Sequence, residues 1–168
     1  MIPQTGYSIT IAEGRQIEQR CLFHAVKTVL EFGPGYSTNF FLAAGCQLTC
    51  LECDERWANQ FRQFPEARQV RLFSFTDNQF PLVIPELTEV KFDLAFIDAP
   101  RGFVFPCSRI NTTLFAWHRC HYLLLHDTIR AREKLTLNIL LALGGTVLAE
   151  DLSEKGLTLM QTPCKGQL

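Results

Sequence analysis

The sequence has little net charge and no concentration of charge of one sign. It contains 16 Lys and Arg against 17 Asp and Glu, which gives a formal net charge of −1. The basic residues are scattered along the chain, so they form no electrostatic footprint for a nucleic acid or an anionic membrane. We therefore expect neither partner, and a small-molecule or peptide ligand is more compatible with this charge.

Long apolar runs, internal repeats and linkers are also missing. No stretch approaches the length of a membrane span. Residues 1–11 have neither the basic head nor the apolar run of a signal peptide. The seven cysteines are odd in number and scattered through apolar segments, which favours a reducing compartment over a disulfide scaffold. We expect a cytoplasmic protein.

What the chain does contain is an alternation of helical and strand patterns, with 47% hydrophobic residues to form a core. Helices are predicted over Thr10–Lys27, from a cap at Ser37 or Thr38 to Gly45, over Glu55–Phe64 and over Ile129–Leu143. Strands are predicted over Thr28–Phe32, Gln47–Glu52, Gln69–Phe75, Phe92–Ile97 and Tyr122–Leu125. Short, continuously apolar strands such as these are typical of a parallel sheet that is covered on both faces.

The last two predicted strands, Thr146–Leu152 and Leu157–Gln161, are joined only by Ser153-Glu154-Lys155-Gly156. A connection this short permits an antiparallel hairpin and no parallel crossover. The sequence thus predicts an α/β fold with a doubly wound, mostly parallel sheet and a C-terminal antiparallel hairpin. We expect a single domain over residues 1–168, in which the helical segment 1–27 packs on the sheet.

Polar residues follow several of the predicted strands at their carboxyl ends, where open α/β sheets bind ligands. Gly33-Pro34-Gly35 follows the first strand, and its glycines allow a ligand to approach the backbone. Glu52 ends the second strand, where a carboxylate can accept both hydroxyl protons of a ribose. Asp98 and His126-Asp127 follow two later strands. These groups predict a nucleoside-cofactor site.

The glycine loop is poorly suited to a pyrophosphate. Thr38 stands where a dinucleotide-binding loop has its third glycine, and Pro34 removes a backbone N–H. Glu31 places a carboxylate at the loop entrance, where it would repel pyrophosphate but suit the positive amino-acid end of S-adenosylmethionine (SAM). The loop therefore favours SAM over a dinucleotide.

Three motifs in chain order resemble those of the class I methyltransferases, which share a Rossmann-like fold. They are Glu31-x-Gly33-x-Gly35-x-Ser37, Leu51-Glu52-Cys53-Asp54 and Phe92-Asp93-Leu94-Ala95-Phe96-Ile97-Asp98. Two further segments resemble more narrowly the small-molecule O-methyltransferase branch. These are Ala12-Glu13-Gly14-Arg15 and Gly35-Tyr36-Ser37-Thr38.

The resemblance implies a methyltransferase that uses SAM as its cofactor. Family precedent places the methionine part of SAM at the glycine loop, the ribose at Glu52 and the adenine beside Asp77. The cofactor-binding residues that we expect are Glu31, Gly33, Gly35, Ser37, Glu52 and Asp77.

Asp98, His126 and Asp127 are the candidate catalytic residues. Methyl transfer requires the acceptor in line with the S–CH₃ bond, and a base only when the acceptor starts protonated. Asp98 or His126 could take that proton. Alternatively, Asp98 and Asp127 could hold a divalent cation. Metal-dependent relatives have an Asp-Asn pair after the fifth strand, whereas this chain has Asp127-Thr128, so we expect no metal.

The methyl acceptor is not identified by any motif. The Asp-Pro-Pro-aromatic signature of amino-methylating enzymes is only echoed by Asp98-Ala99-Pro100-Arg101, which favours oxygen over nitrogen in a small-molecule acceptor. Two alternatives stay open: a non-catalytic adenosine-cofactor-binding or assembly subunit with the same fold, and a nicotinamide-dependent oxidoreductase. A homo-oligomer is possible in each case.

Overall fold

A computed structural model describes residues 1–5, 8–76, 80–99, 108–153 and 155–163 of the chain. Its strands are β1 Thr28–Phe32, β2 Gln47–Glu52, β3 Val70–Ser74, β4 Phe92–Ile97, β5 Cys120–His126, β6 Thr146–Asp151 and β7 Leu157–Gln161. Its α-helices are α1 Ile11–Phe23, α2 Tyr36–Ala43, α3 Glu55–Phe61, α4 Ser108–Trp117 and α5 Ala131–Ala142. Short 3₁₀ helices cover Pro65–Gln69 and Pro85–Leu87.

The seven strands form one sheet in the order β3-β2-β1-β4-β5-β7-β6. The pairs formed among β1 to β5 are all parallel, while β7 pairs antiparallel with both β5 and β6. The chain passes outward from β1 to β3 on one side and then returns to place β4 on the other side of β1. The predicted fold class is confirmed, and the strand order reverses between β1 and β4.

Apolar side chains cover both faces of the sheet, as the continuous apolar strands predict. On one face, Phe32 and Ile97 are buried together with Trp117 of α4. On the other face, Phe96 is buried together with Ile17 of α1 and with side chains of α2. None of the helices in the described ranges is both long and apolar enough to cross a membrane.

The first helix is shorter than predicted. Thr10 is its N-cap and forms a reciprocal capping box with Glu13, and the helix ends at Phe23 rather than at Lys27. Ala25 has a φ of 52°, a left-handed conformation that turns the chain into β1 and that no helix can continue through.

The second helix begins earlier than predicted. Its N-cap is Gly35, so the predicted cap at Ser37 or Thr38 is wrong. Both residues lie in the first helical turn, where their hydroxyl groups donate hydrogen bonds to the Glu31 carboxylate. Thr38 Oγ1 also accepts the backbone N–H of Gly35 at 3.0 Å, so it joins the N-cap residue to the buried Glu31 from within the first turn.

Helix α4 was not predicted at all. Four of its buried residues, Arg109, Asn111, Thr112 and Thr113, are polar, and they interrupt the buried apolar residues Ile110, Phe115, Ala116 and Trp117. The usual periodicity of apolar residues is therefore hidden, and threonine and asparagine have low helix propensity.

Candidate active site

A cavity of about 390 Å³ opens at the carboxyl ends of β1, β2 and β4, where the strand order reverses. This is the location at which open α/β sheets bind ligands. Its lining comes from the loop after β1, the end of β2 with the start of α3, the loop after β4, and the N-terminal segment. The predicted residues that line it are Gly33, Gly35, Ser37, Glu52 and Asp98. Asp77 lies outside the described residues.

The glycine loop after β1 is held between two neighbouring strands. Gly33 has a φ of +84°, and a Cβ added to it would lie 2.8 Å from the Cβ of Ala99. Its backbone N–H donates to the carbonyl of Leu51 at 2.9 Å. Gly33 therefore meets two conditions that only glycine satisfies: a left-handed conformation and close contact with the β4 loop.

Gly35 differs from Gly33 because it borders open space. The nearest atom to an added Cβ would be Cζ2 of Trp57, at 3.8 Å. The Trp57 indole N–H donates to the carbonyl of Pro34 at 2.6 Å and so ties α3 to the loop. Trp57 was not predicted as a site residue, although it follows the Leu51–Asp54 motif by only a few residues. A side chain at position 35 would occupy the cavity and leave the fold intact.

Glu31 lies beneath the loop and is fully buried. Its carboxylate accepts hydrogen bonds from the hydroxyl groups of Ser37 at 2.6 Å and Thr38 at 2.8 Å. Burial raises the pKa of Glu31 to about 7, although these hydrogen bonds oppose the shift. In this position Glu31 fixes the loop to the start of α2, so it would act on a cofactor through the loop rather than by contact.

Glu52 projects from the end of β2 towards the cavity and is 5% exposed. Its Oε1 accepts the backbone N–H of Asp54 at 2.8 Å, which fixes the orientation of the carboxylate. Asp54 in turn caps α3 by accepting the backbone N–H groups of Arg56 and Trp57. Burial raises the pKa of Glu52, because the cavity edge shields it from bulk water.

Asp98, His126 and Asp127 meet because β4 and β5 are neighbours in the sheet. Each offers one ligand-type atom, and these atoms lie within 4.8 Å of one another. His126 Nδ1 is 2.9 Å from Asp98 Oδ1. Asp98 lines the cavity and is about a fifth exposed, whereas His126 and Asp127 are buried behind it.

Two buried residues that the sequence did not reveal complete this cluster. Arg109 of α4 donates to Asp98 Oδ1 at 3.1 Å and to Asp127 Oδ2 at 3.0 Å. Glu13 of α1 places Oε1 3.3 Å from His126 Nε2. Glu13 lies four residues before Ile17 and eight before Cys21, on the buried stripe of α1, and a carboxylate on such a stripe is a signal that could have identified it.

The charges around His126 favour its imidazolium form. Burial alone would lower the pKa of His126, but the carboxylates of Asp98, Glu13 and Asp127 raise it to about 9. The same contact with His126, together with Arg109, lowers the pKa of Asp98 against the effect of burial. An imidazolium has no lone pair that can accept a proton. Of the two candidate bases, Asp98 and His126, only Asp98 therefore presents a proton-accepting atom to the cavity.

Known structures share this arrangement of strands, although no protein-family model and no curated protein matches the sequence. An O-methyltransferase from Bacillus cereus, solved in complex with SAH, superposes with a TM-score of 0.74 over 95% of this chain and 84% of that one, at 15% identity. The chain has the class I methyltransferase fold.

Two further structures with this methyltransferase fold superpose nearly as well. The O-methyltransferase TomG from Streptomyces achromogenes, involved in tomaymycin synthesis and solved with SAM, gives a TM-score of 0.68 at 13% identity. The match covers 96% of this chain and 92% of that one. A SAH-bound methyltransferase from Podospora anserina gives 0.69 at 17% identity, with coverages of 94% and 80%. At these identities the likeness is one of fold.

Proposed function

We propose that the protein binds SAM in the cavity at the strand reversal and transfers its methyl group to a small-molecule acceptor. One observation supports this most directly: the Glu52 carboxylate faces the same cavity as the glycine loop and Asp98. A nucleoside sulfonium requires three such features: a carboxylate that binds the ribose, a loop that admits backbone contact, and an acidic group beside them. The solved neighbours that carry SAM or SAH share the fold in which these groups are set.

Glu52 would hold the ribose. Asp54 fixes its Oε1, so the carboxylate is already oriented before a ligand arrives and loses little freedom on binding. Gly33 and Gly35 would let the methionine part approach the loop, and the N–H groups at the start of α2 suit its carboxylate. Asp98 contributes negative charge near the positive sulfonium.

SAM supplies an electrophilic methyl group, and the protein's task is to place the acceptor in line with the S–CH₃ bond. Asp98 would orient the acceptor by accepting a hydrogen bond from its O–H or N–H group. His126 and Arg109 hold Asp98 Oδ1, so this carboxylate is fixed in position. Because its pKa is lowered, Asp98 is a weak base, and its main role would be to orient the acceptor. This role suits an acceptor that gives up its proton readily. We favour oxygen as the acceptor atom.

Isothermal titration calorimetry with SAM, SAH and NAD tests the proposal. We expect SAM and SAH to bind and NAD not to bind, because Pro34 removes a backbone N–H from the loop and Thr38 stands where a dinucleotide-binding loop has its third glycine. Preferential binding of NAD would contradict the proposal. Binding of SAM without methyl transfer to any of a panel of small hydroxyl compounds would instead favour a non-catalytic subunit.

A further inference from the structure

Asp98, His126 and Asp127 form a group that could in principle hold a metal ion. The space between the two carboxylates is occupied by the guanidinium of Arg109. Its Nη2 lies 3.1 Å from Asp98 Oδ1 and 3.0 Å from Asp127 Oδ2, and it also donates to the backbone carbonyl of Asp98 at 2.9 Å. Its Nη1 donates to the backbone carbonyl of His126 at 3.0 Å.

The position of Arg109 is fixed from several elements. It belongs to α4, it is only 7% exposed, and Glu133 of α5 lies 3.5 Å from its Nη1. It therefore ties the carboxyl ends of β4 and β5 to two helices. A guanidinium held by so many acceptors cannot move aside without leaving buried carboxylates unpaired.

We propose that Arg109 takes the place that a divalent cation would otherwise occupy between Asp98 and Asp127, so that this cluster is built to work without a metal. The residues present do not fit an ion. Asp98 Oδ1 already faces Arg109 and His126, and Asp127 Oδ2 already faces Arg109 and Arg130. An ion that reached both carboxylates would also lie beside a positive charge that the fold holds in place.

The presence of Arg109 in place of a metal ion has a consequence for the methyl acceptor. This consequence rests on the proposed methyl transfer. A metal would offer open coordination positions to an acceptor oxygen. Arg109 instead directs its N–H groups to the protein, and Asp98 presents a carboxylate to the cavity. The structure therefore favours an acceptor with one hydrogen-bond donor next to the reacting atom over one that must chelate an ion.

Mn²⁺ titration followed by electron paramagnetic resonance tests the metal part of the proposal without any acceptor. We expect the wild-type protein to leave the signal of free Mn²⁺ unchanged. In Arg109→Ala, the two carboxylates lose their shared counter-charge, and Asp127 Oδ1 has no hydrogen-bond partner among the described residues. We expect this variant to bind Mn²⁺ at least about tenfold more tightly than the wild-type protein does, and we expect Mn²⁺ to raise the Tm of the variant.

Arg130→Ala is the matched control. Arg130 also contacts Asp127 Oδ2, at 2.9 Å, but it is 59% exposed and leaves Arg109 in place. This variant should bind no Mn²⁺. If Arg109→Ala does not fold, Arg109→Gln removes the positive charge but keeps a hydrogen-bond donor, and it should bind Mn²⁺ in the same way; a folded Arg109→Gln protein that binds no Mn²⁺ would also overturn the proposal.

Two further results would overturn the proposal. One is Mn²⁺ binding by the wild-type protein that Asp98→Asn or Asp127→Asn abolishes. The other is a folded Arg109→Ala protein that binds no Mn²⁺. SAM calorimetry on the same wild-type sample shows separately whether the proposed function fails, because it depends on Glu52 and the glycine loop rather than on Arg109.

Discussion

Glu31 and Glu52 end neighbouring parallel strands, yet their carboxylates have different surroundings. Glu31 is enclosed by the hydroxyl groups of Ser37 and Thr38, while Glu52 reaches the cavity. The sequence predicted both as cofactor residues, Glu31 because it stands at the entrance of the glycine loop and Glu52 because it ends its strand. It could not distinguish them, since the hydroxyl groups that enclose Glu31 come from the next helix. One carboxylate therefore organises the loop, and the other is available to a ligand.

Replacing Glu52 tests the ribose contact. Hydrogen bonds to a charged group contribute about 1.5–3 kcal/mol each, so Glu52→Ala should weaken SAM binding by about tenfold or more. Calorimetry measures the change. Glu55→Ala is the control, because Glu55 is an exposed acidic residue in the first turn of α3. A loss below about twofold for Glu52→Ala would place the ribose elsewhere.

Glu31 should make stability depend on pH. Its pKa in the folded protein, raised to about 7 from the ordinary 4.5, means that folding favours the protonated form. The contribution of Glu31 to the free energy of unfolding is therefore complete below about pH 4.5 and is lost as the pH rises through 7. We expect Glu31→Gln to remove this loss, which amounts to roughly 3 kcal/mol over that range.

Urea unfolding of the wild type and of Glu31→Gln at a series of pH values measures this effect. Glu86→Gln serves as the control, because it removes an exposed carboxyl in a 3₁₀ helix. Parallel stability curves for wild type and Glu31→Gln between pH 4.5 and 7 would show that Glu31 does not titrate in that range.

The loop after β1 uses its two glycines differently. Gly33→Ala should destabilise the fold by about 1–3 kcal/mol, because its left-handed φ and the contact with Ala99 both resist a side chain. Gly35→Val should leave the Tm nearly unchanged but abolish SAM binding, since its side chain would enter the cavity. Thermal unfolding and calorimetry on both variants separate the two effects. Unchanged SAM affinity in Gly35→Val would remove the loop from the site.

The elements that the sequence predicted best are the buried strands. The bounds of β1, β2, β4 and β7 are those predicted, because these mainly apolar segments are bounded by turn residues or by charged residues: Gly33 after β1, Glu52 at the end of β2, Asp98 after β4, and Gly156 and Pro163 around β7. Helix α4 escaped prediction because its buried residues mix arginine, asparagine and threonine with apolar side chains, which obscures the apolar periodicity. This helix carries Arg109. The apolar periodicity therefore failed to predict the helix that contributes to the buried charge cluster.

At the scale of the whole molecule, the sequence predicted a parallel sheet with a terminal hairpin, and it placed Asp98 and Asp127 at the ends of adjacent strands, which the pairing of β4 with β5 confirms. The adjacency of β4 and β5 brings Asp98 to Asp127, and α1 then adds Glu13 from far along the chain. Contacts across such separations leave no local pattern in one sequence. The approach of Asp98 to Asp127 could be predicted from the strand ends, but their partner Arg109 and the contact of Glu13 with His126 could not.

The strand order predicts how stability is distributed over the sheet. β1 and β4 lie at its centre and are largely buried, whereas the edge strand β6 alternates between exposed and partly buried residues. Hydrogen exchange followed by mass spectrometry should therefore be slowest in β1 and β4 and faster in β6. SAM should add protection mainly at residues 33–37 and 52–54. Protection of β6 equal to that of β1 would contradict this distribution.

The turn between β6 and β7 determines where the protein can be tagged or labelled. It is an ordinary surface hairpin in the sequence, but a Cβ added to Gly156 would lie 2.7 Å from Thr128 Oγ1. Lys155 also donates to the carbonyl of Ser8, beside the cavity. An epitope or fluorophore inserted there would displace the backbone after Asp127. An insertion in the exposed turn at Gly45 that keeps this glycine, whose φ is +78°, lies outside the cavity lining and should leave the site undisturbed.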